Sequence, residues 1–199
     1  MNLLIIFTRY PEAGKTKTRL IPALGAEGAA DFQRRMTEET VTKVGQLVAV
    51  CPLSLEVRFA GGNLALMESW LGSDLSYKEQ GSGDLGDRMK LAFQTAFNSG
   101  IKRAVIIGID CPGLNVEILQ QAFEKLEEND LVLGPAEDGG YYLIGLRRLI
   151  PELFRGINWG TDRVREQTVA IAQSLHLAIS YLPQLPDIDR PEDLSILDC

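Results

Sequence analysis

Ala104-Val105-Ile106-Ile107-Gly108-Ile109-Asp110-Cys111-Pro112-Gly113-Leu114 is an apolar, β-branched run that stops at a carboxylate and a Pro-Gly turn. Apolar residues without alternation mark a strand covered on both faces, as in a parallel sheet flanked by helices. The break in the pattern puts Asp110 at the carboxyl edge of a central strand. In open α/β sheets ligands gather in the crevice outside those edges, so a carboxylate there is placed to hold a metal against an anionic ligand. The competing reading is an Asx turn that closes the strand, and the stretch alone does not separate the two.

The same pattern recurs outward from this strand. Leu3-Leu4-Ile5-Ile6-Phe7-Thr8 is a second buried run, followed by a loop with Pro11 and Gly14. Helical spacing predicts helices over residues 26–48, 64–71, 85–98, 116–126 and 161–176, the last capped by Thr161. Strands are predicted over 53–60, 77–80, 131–135, 141–146 and 177–182. Strands alternating with helices define a doubly wound, mostly parallel α/β sheet. No linker, repeat or low-complexity tract interrupts the order, so residues 1–199 are expected to form one domain.

Composition narrows the function classes. With 45% hydrophobic and 24% charged residues, the 199-residue chain has the balance of a globular protein. The N-terminus lacks the pattern of a signal peptide and no apolar run reaches membrane-spanning length, so a cytoplasmic location without membrane insertion is expected. Cys51, Cys111 and Cys199 lack ligand spacing and are expected as reduced thiols. A net charge of −7 argues against nucleic acid as a partner. Against that background Arg9, Lys15, Lys17 and Arg19 fall within eleven residues, opposed only by Glu12. At a strand exit such a cluster can hold a diphosphate through charge-assisted hydrogen bonds, chiefly from Lys17 and Arg19; the alternative is a solvated charge run.

Four further motifs bear on chemistry. Gly81-Ser82-Gly83-Asp84-Leu85-Gly86 matches G-x-G-x-x-G, but lies outside a first βαβ unit and lacks the later acidic partner, which argues against a dinucleotide fold. The loop is expected instead to bring Asp84 and Arg88 toward a ligand, with plain turn geometry as the alternative. Gly14-Lys15-Thr16 lacks the first glycine of a P-loop. In Glu137-Asp138-Gly139-Gly140 the glycines allow close backbone approach and Asp138 can bind sugar hydroxyls or act as a base; a tight hairpin is the competing reading. Asp187-Ile188-Asp189-Arg190-Pro191 alternates carboxylates suited to Mg²⁺ or Mn²⁺, unless Asp189 caps a helix. The lone His176 is expected to be structural, Cys111 a small buried residue, and Trp159 part of the core.

Pro11-Glu12-Ala13-Gly14-Lys15-Thr16-Lys17-Thr18-Arg19-Leu20, Gly83-Asp84-Leu85-Gly86-Asp87-Arg88-Met89, Gly108-Ile109-Asp110-Cys111-Pro112, Asp138-Gly139-Gly140-Tyr141 and Trp159-Gly160-Thr161 occur in this order. Together they resemble a bacterial family of small glycosyltransferase-A-like proteins, long catalogued as a domain of unknown function and in part labelled arsenosugar-biosynthesis glycosyltransferases. More distantly the chain is similar to nucleotidyltransferases that act on molybdopterin or phospholactate, which share the nucleotide-diphospho-sugar transferase fold. The resemblance implies that fold, phosphate binding by Arg19, and a Mg²⁺ or Mn²⁺ site at Asp110 and Asp189. The chain departs from those nucleotidyltransferases in having a lysine-rich first loop where theirs is glycine-rich.

The resulting expectation is a metal-dependent transferase that moves a sugar from a nucleoside diphosphate to a small acceptor. Arg9, Lys15, Lys17, Arg19, Asp84 and Arg88 are expected to bind nucleotide or phosphate, and Asp138, Gly139 and Gly140 the acceptor or sugar. Asp138, Arg19 and Lys17 are the expected catalytic residues. The alternatives are nucleotidyl transfer from an NTP to a phosphorylated small molecule, with release of pyrophosphate, and a catalytically silent sugar-nucleotide binding module.

Overall fold

The computed structural model describes residues 1–198. Its strands are β1 (Asn2–Arg9), β2 (Leu53–Ala60), β3 (Ser76–Glu79), β4 (Arg103–Ile107), β5 (Leu131–Pro135), β6 (Tyr141–Leu146) and β7 (Ile179–Tyr181). Its helices are α1 (Ile21–Val50), α2 (Leu64–Leu71), α3 (Leu85–Asn98), α4 (Val116–Lys125) and α5 (Val164–Ser174). The strands form one sheet in the order β3-β2-β1-β4-β6-β5-β7. Every pairing is parallel except those of β6, which runs antiparallel to both β4 and β5. The reason is local: only residues 136–140 join β5 to β6, too few for the crossover that a parallel neighbour demands.

The apolar runs of β1 and β4 are covered on both faces, as their lack of alternation requires. Leu4, Ile6, Val105 and Ile107 pack with Phe32 and Met36 of α1 and Leu119 of α4. Leu3, Ile5, Phe7 and Ile106 face the other way, against Met89 and Phe93 of α3. A smaller apolar patch of Val57, Phe59 and Met67 holds α2 over β2. Among the described residues no helix is long and apolar enough to cross a membrane.

The boundaries differ from expectation in instructive places. The β4 ladder stops at Ile107, so Asp110 stands beyond the strand, at the head of the turn. α1 starts at Ile21, five residues early, because Gly25 (φ 72°, ψ 169°) bends the chain and a first turn precedes the main helix. Thr161 does not cap α5; its hydroxyl donates to Asn158 O and accepts from the Arg163 amide. That helix ends at Ser174, and the exposed His176 lies beyond it at φ 54°, a left-handed position typical of helix termination. The 136–140 connection is a tight hairpin, the reading given less weight in the sequence. Cys51 and Cys111 are free thiols; Cys199 lies outside the described residues.

Asp130 anchors the far edge of the sheet. One carboxylate oxygen accepts from Arg147 Nε at 3.0 Å and Arg148 Nε at 3.4 Å, and the other from the Ala178 amide just ahead of β7. Burial pushes its pKa up, but the Ala178 amide and the two guanidinium groups outweigh it and hold the carboxyl below its ordinary value. A carboxylate with a lowered folded-state pKa stabilises above its unfolded pKa and ceases to as it is protonated. Asp130→Ala should therefore lower stability at neutral pH in urea denaturation, with the gap to wild type closing as pH falls below about 4.

Candidate active site

Beyond the carboxyl ends of β1, β2 and β4, and the amino end of the reversed β6, the loops enclose a cleft of about 540 Å³. That is the size of a small-molecule site. Its floor is a buried polar mesh. Gln33 Nε2 donates to Thr8 Oγ1 at 3.1 Å and to Arg9 O at 3.2 Å, and Thr8 shares a 2.8 Å hydrogen bond with Thr37. Gln80 Nε2 donates to Thr8 O and Arg58 O, which leaves its carbonyl oxygen to accept from Arg88. Arg88, in the first turns of α3, is also tied through Nε to Gly83 O. Its guanidinium is thus held at the cleft from two sides.

The basic loop is stapled from within. Thr16, buried, donates from its hydroxyl to Tyr10 O and accepts from the Glu12 amide, both at 3.1 Å. This turns the chain so that Lys17 occupies a left-handed conformation at φ 47°, just before a 3₁₀ turn over Thr18–Leu20. Lys17 points inward: its side chain is 6% exposed, and its ammonium lies 2.9 Å from Asp110 Oδ1 and donates to Ile188 O. Arg19 pairs with Asp189. Lys15 pairs with Glu12 at 2.6 Å and remains open to the cleft, as does Arg9.

Carboxylates form the opposite wall. Asp138 closes the hairpin turn by accepting the Gly140 amide at 2.7 Å, and its own amide donates to Asp187 Oδ1 at 3.3 Å. Gly139 at φ +89° has no room for a side chain, because a Cβ would lie 2.1 Å from Asp162 O. The segment carrying Asp187 is fixed to the sheet by three backbone bonds: Leu185 N to Pro135 O, Glu137 N to Leu185 O, and Ile188 N to Asp110 O. Burial, followed by the negative charge of Asp138, pushes the Asp187 pKa up to about 6; the charges of Asp193 and Asp110 add to this, while the Asp138 amide opposes it. The Cys111 thiol is pushed up by burial first and then by Asp187, Asp110 and Asp138, so it stays protonated and unreactive.

The expected site residues therefore line the cleft, except Asp84 and Gly139. Asp84 caps α3, its carboxylate accepting the Asp87 amide at 2.8 Å, and it does not line the cleft. Asp189 lines the cleft but does not cap the final 3₁₀ segment (Pro191–Asp198), because its carboxylate pairs with Arg19; Asp193, inside that segment, reaches back to accept from the amides of Asp189 and Arg190. The expected metal pair fits poorly as arranged, since Asp110 is neutralised by Lys17 and Asp189 by Arg19. Among the described residues no three acidic, histidine or cysteine side chains gather around a common point that could hold an ion.

Three contributors escaped the sequence reading. Asp187 was visible as an alternating carboxylate, but nothing in the sequence told that its side chain faces Asp138. Gln80 closes an unremarkable polar strand. Trp159 packs against the core, as expected, and also lines the cleft, with its indole against Gly86, where a Cβ would lie 2.6 Å from the ring. That close approach explains the last glycine of the G-x-G-x-x-G match without any dinucleotide.

Residues 40–161 match the model of a family described as uncharacterized proteins conserved in bacteria, DUF2064. The chain belongs to this family. The structure matches a candidate nucleotide-diphospho-sugar transferase from Desulfovibrio desulfuricans at 36% identity and TM-score 0.90, over 98% of this chain and 85% of that one. More remote is 4-diphosphocytidyl-2C-methyl-D-erythritol synthase from Anaerococcus prevotii, at 10% identity and TM-score 0.64 over 98% and 95% of the two chains. A CMP:2-keto-3-deoxy-manno-octonic acid synthetase bound to CTP gives 8% identity and TM-score 0.60 over 98% and 96%. Identities this low carry the fold alone. No curated protein matches the chain in sequence.

Two predictions follow from the carboxylate wall and from the indole. A carboxyl whose folded-state pKa is raised destabilises the fold as pH climbs from the ordinary carboxylate value of about 4 to about 6. Asp187→Asn should accordingly melt higher than wild type above that window and equally with it below, a comparison for thermal denaturation at two pH values. Gly86→Ala should push the indole of Trp159 out of place, read as a shift of its emission in a Trp70→Phe background.

Proposed function

We propose that the protein transfers a sugar from a nucleoside diphosphate to a small acceptor that carries no phosphate. The supporting observation is the separation of charge along the cleft. Arg9, Lys15, Lys17, Arg19 and Arg88 supply the cationic side, suited to a diphosphate. Past Asp138 and Asp187 the cleft opens into a second chamber of about 530 Å³, edged by Glu137, Asp138, Asp162, Asp187, Asp189 and Asp193, with Arg19 and Arg190 as its basic residues. A phosphorylated acceptor, as nucleotidyl transfer would need, meets repulsion there; a hydroxyl-bearing neutral or cationic one does not.

The chemistry in this reading follows from the residues. The acceptor hydroxyl attacks the anomeric carbon, the bond from that carbon to the diphosphate oxygen breaks, and the hydroxyl proton passes to a carboxylate. Asp187, with a pKa of about 6, has the basicity of a general base working near neutrality, and Asp138 beside it orients the hydroxyls. Lys17 and Arg19 stabilise the charge that builds on the departing diphosphate.

The test is calorimetric binding of UDP-, GDP-, ADP-, CDP- and dTDP-sugars against the matching NTPs, followed by product analysis. The expected outcome is preference for one diphosphate sugar and release of free nucleoside diphosphate. Release of pyrophosphate from an NTP would replace this reading with nucleotidyl transfer, and tight binding without turnover over a broad acceptor panel would indicate a binding module. Asp187→Asn should lower kcat by about 100-fold or more while leaving donor affinity within a few-fold.

A further inference from the structure

We infer that the ammonium of Lys17 is the permanent counter-charge of this site, holding the place beside Asp110 that a divalent cation would otherwise take, so that diphosphate binding needs no metal. The inference rests on the diphosphate reading above. It is carried by the surroundings of one nitrogen. Lys17 Nζ is 2.9 Å from Asp110 Oδ1, donates to the backbone carbonyl of Ile188, and sits 5.9 Å from the ring centre of Phe32. The side chain is 6% exposed, so it cannot swing into solvent without giving up both oxygens.

Three features make this arrangement exclusive of a metal at Asp110. An ion on that carboxylate would stand next to an ammonium whose side chain is only 6% exposed and compete with it for Asp110 Oδ1, a repulsion that solvent at the half-exposed carboxylate screens only in part. The carboxylate that should complete the ion's shell, Asp189, is already paired with Arg19. The backbone at Lys17 is held left-handed (φ 47°, ψ 44°), a conformation unfavourable for a residue with a Cβ, and the Thr16 staple maintains it. The loop is thus shaped to deliver this side chain to this position.

An ammonium has three protons. Two are engaged by Asp110 and Ile188, and the third remains for a phosphate oxygen arriving from the cleft, with Arg19 and Arg88 alongside. The loop therefore provides, as a covalent part of the chain, the positive charge that otherwise arrives with the ligand as a metal complex.

The experiment uses the full chain and two probes. Mn²⁺ alone is titrated and followed by the electron paramagnetic resonance of the free ion, and pyrophosphate is titrated calorimetrically in chelator and again with Mg²⁺. Wild type should show no stoichiometric Mn²⁺ uptake, and its pyrophosphate affinity should differ by less than about threefold between the two buffers. Lys17→Met, which frees Asp110, should lose about tenfold or more of its affinity in chelator and gain Mn²⁺ uptake. Lys17→Arg, which retains the charge, should keep pyrophosphate binding independent of metal, and covers the case in which the methionine variant fails to fold. Stoichiometric Mn²⁺ uptake by wild type, pyrophosphate binding that vanishes in chelator, or a folded Lys17→Met indistinguishable from wild type would each overturn the inference. Failure to bind pyrophosphate or any nucleotide in either buffer would instead overturn the proposed function, and the Mn²⁺ titration would still decide the role of Lys17.

Discussion

A buried ammonium joins the three parts of the chain that make the site. Lys17 comes from the loop after β1, Asp110 from the turn after β4, and Ile188 from the segment that runs back over the sheet after β7. A charge so poorly exposed is tolerated only when paired and hydrogen-bonded, and here both conditions are met by groups distant in sequence. The pairing fixes the loop against the sheet and sets the width of the cleft. The positions of Arg19, Asp189 and Asp187 depend on it, because each lies within two residues of one of the three contacts or of Ile188 itself.

The reversal of β6 is the second determinant. If the sheet were wholly parallel, the link from β5 to β6 would have to cross a face of the sheet and would leave the carboxyl edge. The short hairpin instead keeps Asp138 at that edge, beside Asp187, where its charge adds to the burial that raises the Asp187 pKa. Burial and charge act together: Asp187 is raised chiefly by desolvation, and the neighbour's charge adds to it. A carboxyl with a raised pKa lowers stability near neutral pH, and the proposed reaction would use the basicity that goes with it.

The element order was legible because β1 and β4 are apolar on both faces and the helices carry regular apolar spacing. Short-range chemistry misled at particular residues. Thr161 has the right type for a cap, yet the chain turns once more before α5, and its hydroxyl serves that turn. Asp84 was expected at the ligand and instead caps α3, since an Asp ahead of an amphipathic run satisfies free amides whichever fold surrounds it. The structure places the basic loop beside Asp110; the direct Lys17–Asp110 pairing was not foreseen in the sequence, because it depends on Thr16 turning Lys17 inward. Asp187, Gln80 and Trp159 needed three-dimensional packing to acquire meaning, as none has a neighbour in sequence that announces its role.

The placement of β1 has a consequence for how the chain reaches this shape. β1 is the first strand in sequence but lies inside the sheet, where Leu4 pairs across to Val105 and Ile6 to Ile107. During synthesis it must wait for about half the chain before its second neighbour exists, with an apolar ribbon meanwhile covered on one edge at most. Such long-range closure slows folding and lengthens exposure to aggregation. That exposure ends when β4 docks against β1.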